Sequence, residues 1–101
     1  MTTDHAREVQ LPPNAADLLA GLLRARAAEA SICPSELARA LAASAGEREA
    51  WRRWMPAARQ AALAQARLGR VCITQGRREC LPDEPLRGAV RIRRGPRFDA
   101  L

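Results

Sequence analysis

The spacing of apolar positions changes along the chain, and each change marks an element. Leu18, Leu19, Leu22 and Leu23 fall on one stripe at helical spacing, with Arg24, Arg26 and Glu29 mostly off it. A first helix is expected from Ala15 to about Ala28, capped by Asn14. Ser31-Ile32 is short and contains a β-branched residue, which fits a stub of strand. Leu37, Ala38 and Leu41 then share one face of a second helix, expected from Pro34 to about Ala43, with Gly46 as its stop. The third segment, EREAWRRWMPAARQAALAQARLG, is the longest and ends at Gly69. Pro56 interrupts it, because a proline ring removes a backbone donor and collides with the preceding turn. A break near Met55 is expected, with Pro56 opening the main helix. On a wheel of about 100° per residue, Trp51, Trp54, Met55, Ala58 and Ala62 gather on one side. Arg52, Arg59, Gln60 and Arg67 gather on the other, with Arg53 at its edge. Leu63 falls among these arginines, as an exposed apolar residue, and Gln65 falls on the apolar side. A change of phase at Pro56 would account for both.

After Gly69 the period drops to two. Val71 and Ile73 alternate with Cys72 and Thr74, Gly76 marks a turn, and RRECL is expected to return as a second strand. Pro82 to Pro85 reads as loop. In AVRIRR, Val90 and Ile92 point inward and Arg91 and Arg93 outward. The fold class is therefore mainly α with a small antiparallel β-sheet, in the order of a winged helix: three helices plus a two- to three-stranded wing around one core. Residues 1–13 are expected as a flexible N-terminal tail, 14–94 as the winged-helix domain and 95–101 as a flexible C-terminal tail.

Charge adds a functional direction. The chain has 101 residues and a net charge of +6, with all seventeen basic residues arginine. Residues 1–46 hold four arginines and five acids, a net −1; residues 47–101 hold thirteen and six, a net +7. The second half is thus a candidate for binding an anionic partner. Nothing in MTTDHAREVQ resembles a signal peptide, and the most apolar run, AADLLAGLL, contains Asp17 and is too short to span a bilayer. A cytoplasmic protein with reduced thiols and no membrane partner is expected.

Enzymatic chemistry finds little support. The only histidine, His5, falls in the expected tail, and no paired acids occur at a useful spacing. Asp83 and Glu84 read as loop charges, and the glycines punctuate elements rather than cradle phosphates. Cys33, Cys72 and Cys80 lack the close pairs of a structural zinc site, so neither metal nor cofactor is expected. A loop centred on Gly76 would set Cys72 opposite Cys80, but a reducing compartment argues against a disulfide. Cys33 stands where a helix cap is usually Ser, Thr, Asp or Asn, with Pro34 at the first helical position and Glu36 at the third. A helix N-terminus favours a thiolate; a small soft residue packing in a corner is the plainer reading. Trp51 and Trp54 are read as core bulk in a chain with one Phe and no Tyr.

The runs ICPSELARAL, WRRWMPAAR, GRVCITQGR and GAVRIRR resemble the pattern of the bacterial DUF3253 family, over about residues 15–94. The resemblance implies a compact winged-helix-type domain and carries no assigned biochemical activity. The chain departs from the family pattern at Trp54, where an aliphatic residue is usual, at Cys72, often polar or acidic, and at Glu79-Cys80. The loop from Gly76 to Gly88 also looks longer than usual.

In a DNA-binding winged helix the third helix enters the major groove and the wing touches the backbone. The expected contacts are Arg52, Arg53, Arg59, Gln60 and Arg67 on the third helical segment, Arg77 and Arg78 at the wing, and Arg91 and Arg93 beyond it. Arg87, Arg94 and Arg97 extend the charge. Arg and Gln suit guanine and adenine edges, and each phosphate contact adds salt dependence. The expected partner is duplex DNA or another nucleic acid, bound as a small transcriptional regulator binds it. The alternative is a protein–protein interaction module of the same fold, with Leu63 and the arginine-rich tail on an acidic protein partner.

Overall fold

The computed structural model describes residues 13–84, 86 and 88–101. His5 and the expected N-terminal tail up to Pro12 lie outside the described residues, as do Pro85 and Arg87. Three α-helices come first, α1 (Ala15–Arg24), α2 (Pro34–Ser44) and α3 (Met55–Arg67). A two-residue strand β1 (Ser31–Ile32) sits between α1 and α2, and a 3₁₀ segment (Arg48–Trp54) joins α2 to α3. The strands β2 (Val71–Gln75), β3 (Arg78–Cys80) and β4 (Arg91–Arg94) follow, and a short 3₁₀ turn (Phe98–Ala100) ends the chain. The strands form one antiparallel sheet in the order β1-β4-β2-β3. Three helices plus this small sheet are compatible with a winged helix, and the sheet is wider than the expected two or three strands because β1 pairs with β4.

The core follows the periodicities. Leu19 and Leu23 of α1, Leu37 and Leu41 of α2, Ala58 and Ala62 of α3, and Val71, Ile73, Val90 and Ile92 of the sheet are all buried in one cluster. Burial of about ten such side chains supplies the main driving force for a chain of this size.

Two local expectations fail for identifiable reasons. First, α1 stops at Arg24 rather than near Ala28. The Arg94 guanidinium donates to the Leu23 and Arg26 carbonyls, 3.2 Å each, so side-chain donors satisfy the end of the helix. Second, Asn14 occupies the cap position, but its side-chain amide donates to Ser44 Oγ at 2.7 Å and makes no cap bond. It ties the start of α1 to the end of α2. Residues 95–101, expected as a tail, fold back onto the domain. Phe98 is buried, with the Arg24 and Arg94 guanidinium carbons 5.4 and 4.8 Å from its ring centroid. Arg24 also donates to the Leu101 carbonyl at 3.0 Å. The return is locked by a close approach: Gly95 N–H donates to Arg70 O and Arg97 N–H to Gly69 O, 2.9 Å each. A Cβ on Gly95 would sit 2.6 Å from Gly69 O.

The third helical segment breaks where Pro56 requires. Pro56 falls in the first turn of α3, where its missing N–H would have had no partner. Upstream the backbone is 3₁₀, interrupted at Ala50 (φ −98°, ψ 25°). A 3₁₀ helix turns about 120° per residue, so a single α-helical wheel misphases everything before Met55 against everything after it. Trp51, Trp54 and Met55 are accordingly half-buried at the rim of the core rather than inside it. Leu63 is the main correction: it is 8% exposed and belongs to the core cluster. One turn earlier, Arg59 donates to the Gly88 carbonyl at 3.1 Å, which brings the loop before β4 alongside this face of α3. An apolar anchor at Leu63 for a protein partner is therefore not available.

Candidate nucleic-acid interface

The expected arginines separate into those with partners inside the molecule and those without. Arg59, half-buried, spends a donor on Gly88 O. Arg78 forms a two-pronged ion pair with Glu84, 3.0 Å on each prong, and this is its neutralising partner. Glu84 also accepts the Leu81 N–H at 3.1 Å. The Arg78 contact, with that of Leu81 behind it, holds the Glu84 carboxyl below its ordinary pKa. Arg91 donates from Nε to Ser31 Oγ and from Nη2 to Ser31 O, 2.9 Å each. Arg94 is spent on α1 as described. Arg52, Arg53, Arg67, Arg77 and Arg93 are exposed and enter no ion pair among the described residues. Gln60 is exposed as well.

The expected groups are spread over several elements. Gln60 and Arg67 are two turns apart on the exposed side of α3. Arg52 and Arg53 lie in the 3₁₀ segment feeding that helix, and Arg77 lies in the tight turn between β2 and β3. Arg53 lines a shallow depression with Glu47, Arg48 and Glu49. Arg91 and Arg93 are elsewhere. Their neighbours Val90 and Ile92 face the core, so the two arginines stand on the sheet face turned away from the helices. There Arg93 lies between Ser31 and Cys72, and Thr74 lies between Arg91 and Glu79. Arg91 and Arg93 do not join the α3 surface.

The thiols are separated by the same pleat. Cys80 registers with Ile73 and is buried with it, whereas Cys72 is on the outer face. The β2–β3 turn pairs Gln75 with Arg78, so Cys72 and Cys80 never stand opposite each other and a disulfide between them has no geometric basis. Burial pushes the Cys72 thiol above its ordinary pKa, and nearby Glu79 adds to the shift. Cys33 occupies the cap of α2 with extended backbone (φ −86°, ψ 145°), Pro34 following it. Its N–H donates to Glu36 at 3.0 Å, and Glu36 also pairs with Arg26. The Ser35 hydroxyl and N–H lower the Cys33 thiol pKa against partial burial, and Arg91 adds to the lowering.

Two features escape sequence reading. Trp51 carries guanidiniums on its ring from Arg39 and Arg52, and the Trp54 indole N–H donates to Glu47 at 3.0 Å. Arg39, on α2, was outside the expected set because only the fold brings it to the 3₁₀ segment.

Helices, sheet and unpaired arginines define a small basic α-plus-β domain compatible with a winged helix. The chain belongs to the DUF3253 family, described as a protein of unknown function, whose model matches residues 13–95. No curated protein matches it. No helix among the described residues is long and apolar enough to cross a membrane.

Proposed function

We propose that this chain is a duplex-DNA-binding winged-helix protein of the cytoplasm, acting as a small transcriptional regulator rather than as an enzyme. Its helical face meets the DNA. Gln60 of α3 approaches the groove, Arg67 takes a phosphate at its rim, Arg52 and Arg53 take backbone phosphates at the entry to that helix, and Arg77 reaches the flanking backbone from the hairpin turn. The observation that carries this reading is the set of exposed arginines on the helical segment and turn that form no ion pair with any carboxylate among the described residues. Among the described residues the acids leave these charges to an outside anion.

The test is fluorescence anisotropy of a labelled duplex across a salt series. Each arginine that neutralises a phosphate contributes about 0.9 to the slope of log K against log salt. Arg53→Gln and Arg67→Gln should each flatten the slope by about that amount, while Arg93→Gln, on the outer sheet face, leaves it unchanged. Equal effects from all three would show non-specific attraction to net charge and would remove the helical face from the account.

A further inference from the structure

Three aromatic rings are available for arginine stacking, and two of them are used. Phe98 is flanked by Arg24 and Arg94, but these guanidiniums also donate to carbonyls, of Leu101 for Arg24 and of Leu23 and Arg26 for Arg94. That arrangement holds the chain end in place. Trp51 is flanked by Arg39 from α2 and by Arg52, whose central carbons lie 4.3 and 4.6 Å from the ring centroid. Among the described residues, neither of these guanidiniums has a hydrogen bond or an ion pair.

We propose that Arg39, Trp51 and Arg52 form a clamp for the phosphates of a nucleic-acid backbone, anchoring α2 to the strand beside α3. A guanidinium stacked on an aromatic face keeps its in-plane N–H fork outward. The ring also restrains the long side chain before binding, so less rotamer freedom is lost when an anion arrives. The two central carbons can be no farther apart than the sum of their distances to the ring, about 9 Å. Two consecutive phosphates of one strand can bridge such a span. The stacked guanidiniums cover the indole, which favours phosphate capture over base stacking. Of the nearby acids, Glu47 is engaged by Trp54, and Glu49 is on the exposed 3₁₀ segment. The position also suits the task, since the helix preceding the recognition helix crosses the backbone in helix-turn-helix docking.

The choice of nucleic acid rests on the duplex-binding reading above, so the clamp is tested separately. The protein keeps its Trp54–Glu47 bond, and its indole emission is followed during titration with inorganic tripolyphosphate. A saturable change is expected, with the apparent Kd raised about tenfold by Arg39→Gln or Arg52→Gln, as loss of one charge-assisted contact implies. Arg39→Lys, which keeps the charge but loses the planar fork, should weaken binding less than Arg39→Gln. No saturable change, or one that both Gln variants leave unaltered, overturns the clamp. Failure of the wild-type protein to bind a labelled duplex, with the tripolyphosphate response intact, would overturn the DNA reading and leave the clamp standing.

Discussion

Replacing Leu63 by Ala tests whether α3 is phased as described. The substitution removes three carbons from a side chain that is 8% exposed. At about 0.8 kcal/mol per buried methylene the transfer loss is about 2 kcal/mol. Incomplete collapse of the site adds a cavity cost, giving about 3 kcal/mol in all. In a chain of this length that corresponds to a fall in Tm of roughly 10–20 °C. Urea unfolding followed by far-ultraviolet circular dichroism reads the change as a lower midpoint at constant slope. Arg59→Ala in the same background extends the test. If the Arg59–Gly88 bond holds the loop beside Leu63, the two substitutions should couple by about 0.5–1 kcal/mol in a double-mutant cycle. A cost below about 0.5 kcal/mol for Leu63→Ala is what a surface residue would show. That result would refute the burial and restore Leu63 to the arginine face.

Other consequences are as direct. Gly95→Ala should cost about 1–3 kcal/mol, because the added carbon meets the backbone of residues 69–71; a melt indistinguishable from wild type would mean the C-terminal return does not form. Alkylation of Cys33 in the folded protein should reach half its limiting rate at a pH below the ordinary thiol value, since stabilising the thiolate lowers the pKa, while Cys72 should reach it above that value. The reverse order, read by mass spectrometry of labelled peptides, would contradict the roles given to Ser35 and Glu79. Mild oxidation of the native protein should produce no Cys72–Cys80 bond; finding that link without unfolding would break the β2–β3 register.

Periodicity exposed the elements whose burial is settled locally. The alternation Val71/Ile73 and Val90/Ile92, the leucine stripe of α1 and the proline at the start of α3 were legible because one face of each element meets the core. Contacts that close over long sequence separations were not. Leu63 looked exposed because its neighbours on α3, Arg59, Gln60 and Arg67, are polar, and because no pattern in α3 announces the approach of the loop around Gly88. The C-terminal return depends on Gly95 fitting against Gly69, which no spacing rule signals. Asn14 had the chemistry of a cap but found a better partner in Ser44, which only the packing of α1 on α2 supplies.

The candidate interface shows the same division. Residue type and net charge pointed to arginines in the second half, and Arg52, Arg53, Arg67 and Arg77 are exposed and enter no ion pair among the described residues. Sequence alone could not show that Arg78 faces Glu84, that Arg59 faces Gly88, or that Arg93 stands on the far side of the sheet. Nor could it bring Arg39 onto Trp51, since the two residues belong to different elements.

The most direct measurement is the affinity of the unmodified protein for a labelled duplex between 50 and 200 mM salt. With Arg52, Arg53, Arg67 and Arg77 on phosphates, log K should fall with log salt at a slope of about −4. Absence of binding at 50 mM salt, or a slope near zero, would contradict the assignment of those arginines to a nucleic-acid backbone.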